Sequence, residues 1–164
     1  IKHMIATEAI MRTLAQRFGE NEDEWALAGL LHDIDVELTN SDLKIHSKPA
    51  AEMAKKLGAT DAACHAILTH NEAHGIACES KMDKALFCAD PLTGLITAGA
   101  LVRPEKKLAF VEAKSIRKRF KEKSFAAGAN RDNIKTCENF GLSLDEFITI
   151  CLQAMQGVSD ELGL

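Results

Sequence analysis

Apolar residues recur along this chain at the spacing of an α-helix, and this periodicity restricts the fold more than any other feature. In the first segment they are Ile5, Ala9, Ile10, Leu14 and Phe18. Gly19 follows as a typical helix-ending residue, which predicts a first helix from about Ile1 to Phe18. No segment shows the alternating pattern with an Asn-Gly or Asp-Gly turn that indicates a β-hairpin. The sequence therefore predicts an all-α fold, a single helical bundle.

Capping residues, glycines and prolines set the predicted bounds of the other helices. In the first half these helices run from Asn21 to Asp33, from about His46 to Leu57, and from Thr60 or Asp61 to near His70. In the second half they run from Met82 to Ala89, from Ala113 to Phe125, from Asn130 to Phe140, and from Ser143 to about Leu162. Pro91 interrupts the hydrogen-bond ladder without necessarily ending the helix before Leu101, which places Asp90 at a kink or a helix boundary.

Length and charge limit what kind of protein this is. A chain of 164 residues can bury an independent core, so we expect one domain over residues 1–164. A formal net charge of −4 does not favour nucleic acid, and the basic run at residues 114–123 is expected to face solvent or phosphate. Without a membrane-length apolar run or a signal-peptide layout, we expect a cytoplasmic protein with no membrane partner. The sequence leaves open whether a segment precedes Ile1.

Histidine and aspartate residues next to apolar segments form the most specific pattern in the chain. His32 and Asp33 end the apolar run 27–31, and the others are His3, His46, His70 and Asp90. Imidazoles and carboxylates bind divalent cations, and side chains from separate helices converge in bundle cores. Any one histidine alone is more often a surface or satisfied core residue. Their order and placement together predict a metal site for one or two divalent ions.

These residues resemble the motifs of the HD-domain metal-dependent phosphohydrolases, in particular an HDIG-like subset with additional histidines. The resemblance covers residues 1 to about 101, which would form a metal-site core, with C-terminal helices over residues 104–164. It implies one metal bound by His3, His32, Asp33 and Asp90. It also implies a second metal bound by His46 and His70, with Asp33 bridging the two. Iron, manganese, zinc, magnesium and nickel are not distinguished by this ligand set.

The chain departs from the family pattern at two places. Many members continue the dyad as Asp-Ile-Gly-Lys, whereas this chain has Asp35 and Val36 at the last two positions. A small residue and a phosphate-contacting lysine are therefore missing. Many members also have two consecutive histidines where this chain has His70 and Asn71. This second departure implies weaker binding of the second metal.

Several polar residues close to the ligands have two interpretations each. Glu72 is a candidate partner for a ligand histidine or a solvated helix-end carboxylate. His74 is a loop histidine or a group at the pocket rim that contacts or protonates substrate. Lys48 is a candidate phosphate contact or a surface lysine. His65 lies about 140° away from the ligand histidine of its own helix and has no predicted role.

The resemblance implies hydrolysis of a phosphoester or phosphoanhydride in a small metabolite or nucleotide, the expected partner. A metal-activated water would attack, with Asp33 as the candidate that orients it. Two alternatives stay open. Residues 70–90 are also similar to HD enzymes that split diadenosine tetraphosphate symmetrically, and some HD-like bundles bind a ligand without turnover. The sequence does not decide whether the amphipathic C-terminal helix packs within the domain or forms a homodimer.

Overall fold

The structure, a computed structural model, describes residues 1–164 and contains no β-strand, which confirms the predicted all-α fold. Its helices are α1 (Lys2–Phe18), α2 (Glu22–Leu31), α3 (Lys48–Lys56), α4 (Asp61–Thr69), α5 (Lys81–Leu101), α6 (Ala113–Phe120), α7 (Arg131–Lys135), α8 (Leu144–Gly157) and α9 (Ser159–Leu162). Short 3-10 segments cover Glu72–His74, Leu108–Phe110 and Thr136–Phe140. None of the helices combines the length and apolar character needed to span a bilayer.

The central element of the bundle is α5, around which α1, α4, α6, α7 and α8 pack. Its side chains Leu86, Leu92, Leu95 and Ile96 are all fully buried. A helix that is apolar on most of its faces is stable only when other helices surround it. Asp90 lies near the middle of α5, so the fold brings this carboxylate close to helices from both halves of the chain.

A close approach of two backbones joins α1 to α2. A Cβ atom at Gly29 would lie 2.8 Å from the carbonyl oxygen of Thr7, so only glycine fits without a shift. Gly29 is one turn before His32, and Thr7 is one turn after His3. The contact therefore brings the two histidines to the same end of the helix pair.

Two helix ends differ slightly from the prediction, and both differences affect ligand positions. α2 ends at Leu31, so His32 is its C-cap and Asp33 lies just beyond it. α3 begins only at Lys48, because Ser47 has a φ of 80°, a left-handed conformation that cannot continue a helix. His46 is consequently held by a loop rather than by the first turn of α3.

Of the two alternatives predicted for Asp90, a kink or a helix boundary, the boundary is excluded, because α5 continues through Pro91 to Leu101. An interior proline removes one helical hydrogen bond and costs about 3 kcal/mol. Each fully buried leucine or isoleucine contributes roughly 1.5–3 kcal/mol relative to an exposed one. Leu92, Leu95 and Ile96 follow the proline and are completely buried. Their packing outweighs the lost hydrogen bond and keeps the helix continuous.

The predicted basic helix ends at Phe120 and not at Phe125, and the residues that follow it are held by Arg131. The Arg131 guanidinium donates to the carbonyls of Arg119, Phe120, Glu122, Phe125, Ala126 and Ala129. Guanidinium offers five N–H donors in a fixed plane, so one side chain can hold a whole loop. We call residues 121–130 the clamped loop.

The last two predicted helices are each divided in the structure. The first consists of α7 and the 3-10 segment Thr136–Phe140, which ends at Gly141 with a φ of 94°. The second consists of α8 and α9, because Val158 between them is not helical, with a φ of −119°. α8 packs on α1, α5 and α6 of its own chain. A homodimer stays a prediction.

Candidate metal centre

The predicted metal ligands come from four helices and one loop, and the fold brings all of them together. His3 lies in the first turn of α1, and Asp90 lies near the middle of α5. His32 and His70 are the C-caps of α2 and α4. Asp33 directly follows His32, and His46 lies in the loop before α3. A side chain at a helix end can turn towards the bundle axis without displacing core residues.

One group of donor atoms surrounds His3. Its Nε2 lies 3.1 Å from His32 Nε2, 2.9 Å from an Asp90 oxygen and 3.3 Å from Asp33 Oδ2. His32 Nε2 in turn lies 3.4 Å from Asp33 Oδ2. Ligand atoms that share a cation at about 2.1 Å each lie roughly 3 Å apart, so this spacing fits a single ion.

The second group surrounds the other oxygen of Asp33. Asp33 Oδ1 lies 3.2 Å from His46 Nε2 and 3.5 Å from His70 Nε2. The two imidazole nitrogens are 3.1 Å apart. Since Oδ2 of the same carboxylate faces His3 and His32, Asp33 has one oxygen towards each group. This is the position that a bridging carboxylate occupies.

Each of the four ligand histidines uses Nδ1 for a hydrogen bond within the protein. The Nδ1 partners are Thr93 Oγ1 for His3, the Gly29 carbonyl for His32, an Asp35 carboxylate oxygen for His46, and the Ile67 carbonyl for His70. An N–H at Nδ1 leaves the lone pair of each ring on Nε2, the form that binds a metal. All four Nε2 atoms lie within 3.5 Å of an Asp33 oxygen, so the donor set fits a borderline divalent cation.

Hydrogen bonds between the carboxylates and the imidazoles of the centre shift the pKa values of both. Burial lowers the pKa of His3, but hydrogen bonds with Asp33 and Asp90 outweigh it and raise the pKa to about 10. Burial likewise raises the pKa of Asp33 and Asp90, yet their histidine partners hold both pKa values well below the usual range. The hydrogen bond from His46 to Asp33 raises the pKa of His46. Two carboxylates therefore stay ionised beside protonated imidazole, and a divalent cation would take the place of the protons.

Asp35 supports the centre, a role that the sequence did not predict. The sequence indicated only that Asp35 stands where many family members have a small residue. Its side chain is fully buried. One oxygen accepts from His46 Nδ1 at 2.6 Å, and the other accepts from the backbone N–H of Ser47 at 2.9 Å and of Ala50 at 3.1 Å. Asp35 thus orients His46 and caps α3. A carboxylate between Ile34 and Val36 was the available signal, because buried carboxylates need partners.

Thr93 is a second missed partner. Its hydroxyl donates to the Asp90 carbonyl at 2.7 Å and accepts from His3 Nδ1 at 2.9 Å. Residues three apart on a helix share a face, so a hydroxyl at the third position after the ligand aspartate was the available signal. The side chain joins α1 to α5 at the ligand level.

Asn71 and His74 support the loop that carries His46. Asn71 Nδ2 donates to the carbonyls of Leu43 at 2.8 Å and of His46 at 2.9 Å. His74 Nε2 donates to the same His46 carbonyl at 2.6 Å. The asparagine that replaces a second histidine therefore orders a ligand-bearing loop, and of the two interpretations of His74 the structure favours the loop histidine.

The remaining candidates lie outside both donor groups. Glu72 is exposed and accepts from Asn133 Nδ2 at 3.4 Å, so it is not the partner of a ligand histidine. Lys48 is exposed on α3 and does not line the cavity at the centre. His65 bonds the buried carboxylate of Asp83 at 2.9 Å, where it joins α4 to the start of α5.

A cavity of about 430 Å³ opens onto the centre. Asp33, His46, His70 and Asp90 form its inner wall. Its lining also includes Gly128, Asn130 and Asn133, from the clamped loop and α7. This volume is within the range of small-molecule sites. A small substrate could therefore reach both donor groups from one side.

Comparison with known proteins gives one match. The HD domain family model matches residues 1–122, which include every predicted ligand. No curated protein and no solved structure matches the chain. The cavity wall formed by Gly128, Asn130 and Asn133 lies beyond the matched residues.

Proposed function

The chain belongs to the HD-domain family, and from this premise we propose that it is a divalent-metal-dependent phosphohydrolase. It would cleave a phosphoester or phosphoanhydride of a small metabolite by attack of water. The observation that carries the proposal is the shared orientation of four imidazoles, each with Nδ1 bound to the protein and Nε2 facing Asp33 or Asp90.

The protein's own groups would position the reactants. A bound divalent cation would supply Lewis acidity, lowering the pKa of a water and neutralising charge on phosphoryl oxygens. Asp33 is 21% exposed, so water and substrate reach it from the cavity. Because hydrogen bonds already fix His3, His32, His46 and His70, the site needs little rearrangement before the reaction.

The cysteines do not offer an alternative nucleophile. Burial raises the pKa of all five thiols, Cys64, Cys78, Cys88, Cys137 and Cys151. A thiol reacts as its thiolate, which a raised pKa makes scarce. None of the five lines the cavity. This supports direct attack by water rather than a covalent intermediate on a side chain.

Metal analysis of protein purified without chelator, followed by hydrolysis assays with added manganese or iron, tests the proposal. We expect bound metal and turnover of phosphate esters. Asp33→Ala should lose both while its circular dichroism spectrum stays helical. Asp160→Ala, which removes an exposed carboxylate from α9, is the control and should keep both. A parent protein with no bound metal and no turnover would refute the proposal.

A further inference from the structure

The cavity at the metal centre has an unusual charge for a site that takes phosphates. Its lining includes three carboxylates, Asp33, Glu72 and Asp90, and no lysine or arginine. Phosphate-binding sites normally use cationic side chains or rows of backbone N–H groups. Here the cations at the two donor groups would be the only positive charges that face a substrate.

The arginine nearest in sequence to Gly128, Asn130 and Asn133 does not itself line the cavity. Arg131 adjoins Asn130, but its guanidinium donates to carbonyls of the clamped loop, including Ala126 at 2.7 Å and Ala129 at 2.8 Å. Burial also lowers the pKa of Arg131. Its donors are occupied by backbone, so it cannot reach a phosphate without releasing the loop.

The other basic residues also lie elsewhere. Lys48 is exposed on α3 and outside the cavity lining. The cations of α6 line separate surface depressions, and Arg117 there pairs with Asp145 at 2.8 Å. Every cationic side chain that the sequence offered for a substrate phosphate is therefore absent from this site.

Apart from the ligand histidines, the groups that line the cavity are neutral or acidic. Asn130 uses its side-chain oxygen to cap α7, which leaves its amide N–H₂ for a ligand. Asn133 and Glu72 hydrogen-bond each other across the rim at 3.4 Å. Phe87 and Leu43 supply apolar surface. Amide, carboxylate and apolar groups suit a hydroxyl-bearing organic group and disfavour an anion.

We propose that the cavity selects substrates with a single phosphate on an uncharged, hydroxyl-bearing organic group, with Glu72, Asn130 and Asn133 as the specificity residues. The inference rests on the proposed function, because the one phosphate is assigned to the metal centre. A second phosphate on the organic group would face Glu72 with no cation to balance it. Polyphosphates such as diadenosine tetraphosphate are disfavoured for the same reason.

Calorimetric binding to the manganese-loaded protein tests the selection with two matched pairs of probes. The first pair is adenosine 5′-monophosphate and adenosine 3′,5′-bisphosphate, and the second is glucose 6-phosphate and glucose 1,6-bisphosphate. In each pair the added phosphate lies on the organic group. We expect a monophosphate to bind and its bisphosphate to bind roughly threefold to tenfold more weakly. Bisphosphates that bind as tightly, or no binding of either monophosphate at millimolar concentration, would overturn the inference.

Reversing one charge supplies the specificity test. Glu72→Lys should raise bisphosphate affinity relative to monophosphate affinity by roughly tenfold. Glu52→Lys makes the same charge change on the exposed side of α3 and should leave the ratio within about twofold. An unchanged ratio in Glu72→Lys would contradict the role of Glu72. Hydrolysis is followed in the same samples. Selective binding without turnover would refute only the proposed function. Turnover that prefers bisphosphates would refute only the selection for monophosphates.

Discussion

The second donor group consists of Asp33 Oδ1 and the Nε2 atoms of His46 and His70. Replacing Asp35 by asparagine should show whether this group needs a correctly oriented His46 as well as the presence of its ligands. Asp35 accepts three hydrogen bonds, one from His46 Nδ1 and two from backbone N–H groups at the start of α3, those of Ser47 and Ala50. An asparagine has one oxygen, so it can satisfy only one of these two sets. If the oxygen keeps the backbone donors of Ser47 and Ala50, the amide N–H₂ faces His46. The imidazole must then accept at Nδ1 and carry its proton on Nε2, which removes its lone pair from the centre.

The size of the effect follows from these contacts. Hydrogen bonds to a charged group are worth about 1.5–3 kcal/mol, compared with about 0.5–1.5 kcal/mol for neutral pairs, so three weakened bonds cost several kcal/mol. Part of this cost is offset, because the variant no longer buries an ionised carboxylate. We expect Asp35→Asn to lower the free energy of unfolding of the metal-free protein by about 1–3 kcal/mol. Affinity for the second metal should fall by roughly 10–100-fold.

Three measurements check this prediction. Urea unfolding gives the stability, manganese titration gives the stepwise affinities, and nitrogen-15 NMR of the histidine rings reports the protonated nitrogen of His46. Asp42→Asn is the matched control, because this carboxylate of the same loop is exposed and accepts only from the Lys44 N–H. If Asp35→Asn binds the second metal as tightly as the parent, with the His46 proton still on Nδ1, the reasoning fails.

Two further predictions concern the α1–α2 contact and the protons of the centre. Gly29→Ala should lower the free energy of unfolding by about 1–3 kcal/mol, because its Cβ would lie 2.8 Å from the Thr7 carbonyl oxygen. Gly94→Ala adds a Cβ in open space and should be neutral or stabilising by up to about 1 kcal/mol; equal urea stabilities of the two variants would contradict the close approach. His3, with a pKa of about 10, carries a proton at pH 8 that it must lose to bind metal. Manganese binding at pH 8 should therefore release about one proton and strengthen as the pH rises towards 10; equal calorimetric heats in buffers of different ionisation enthalpy would disprove this.

The local parts of the fold were predictable because they depend on neighbours in sequence. Asn21 and Thr60 accept from backbone N–H groups of α2 and α4 as expected of N-caps, and Ser143 forms its capping box with Glu146. The continuity of α5 through Pro91 was not predictable in this way. It depends on the burial of Leu92, Leu95 and Ile96 by other helices, a tertiary energy that local rules do not contain.

The same difference between local and tertiary effects applies to the candidate site. The ligand types and their order predicted the six residues that the fold brings together. Asp35 and Thr93 were missed because each acts through a partner distant in sequence, His46 in one case and His3 in the other. Asn133 was missed because α7 reaches the cavity only through packing on α5. The local signals at such positions are weak, because the role of the side chain depends on which other element packs against it.

Because Arg131 holds the clamped loop by its main chain, the part of the cavity lining that this loop supplies can vary in sequence. One side chain fixes the clamped loop through main-chain carbonyls, which any sequence provides, so residues 121–130 can change their side chains without losing their anchor. The metal ligands lie on other elements and need not change with them. Related chains could thus vary the part of the cavity lining that the clamped loop supplies, and a designer could introduce new contacts there, while the candidate metal ligands stay as they are.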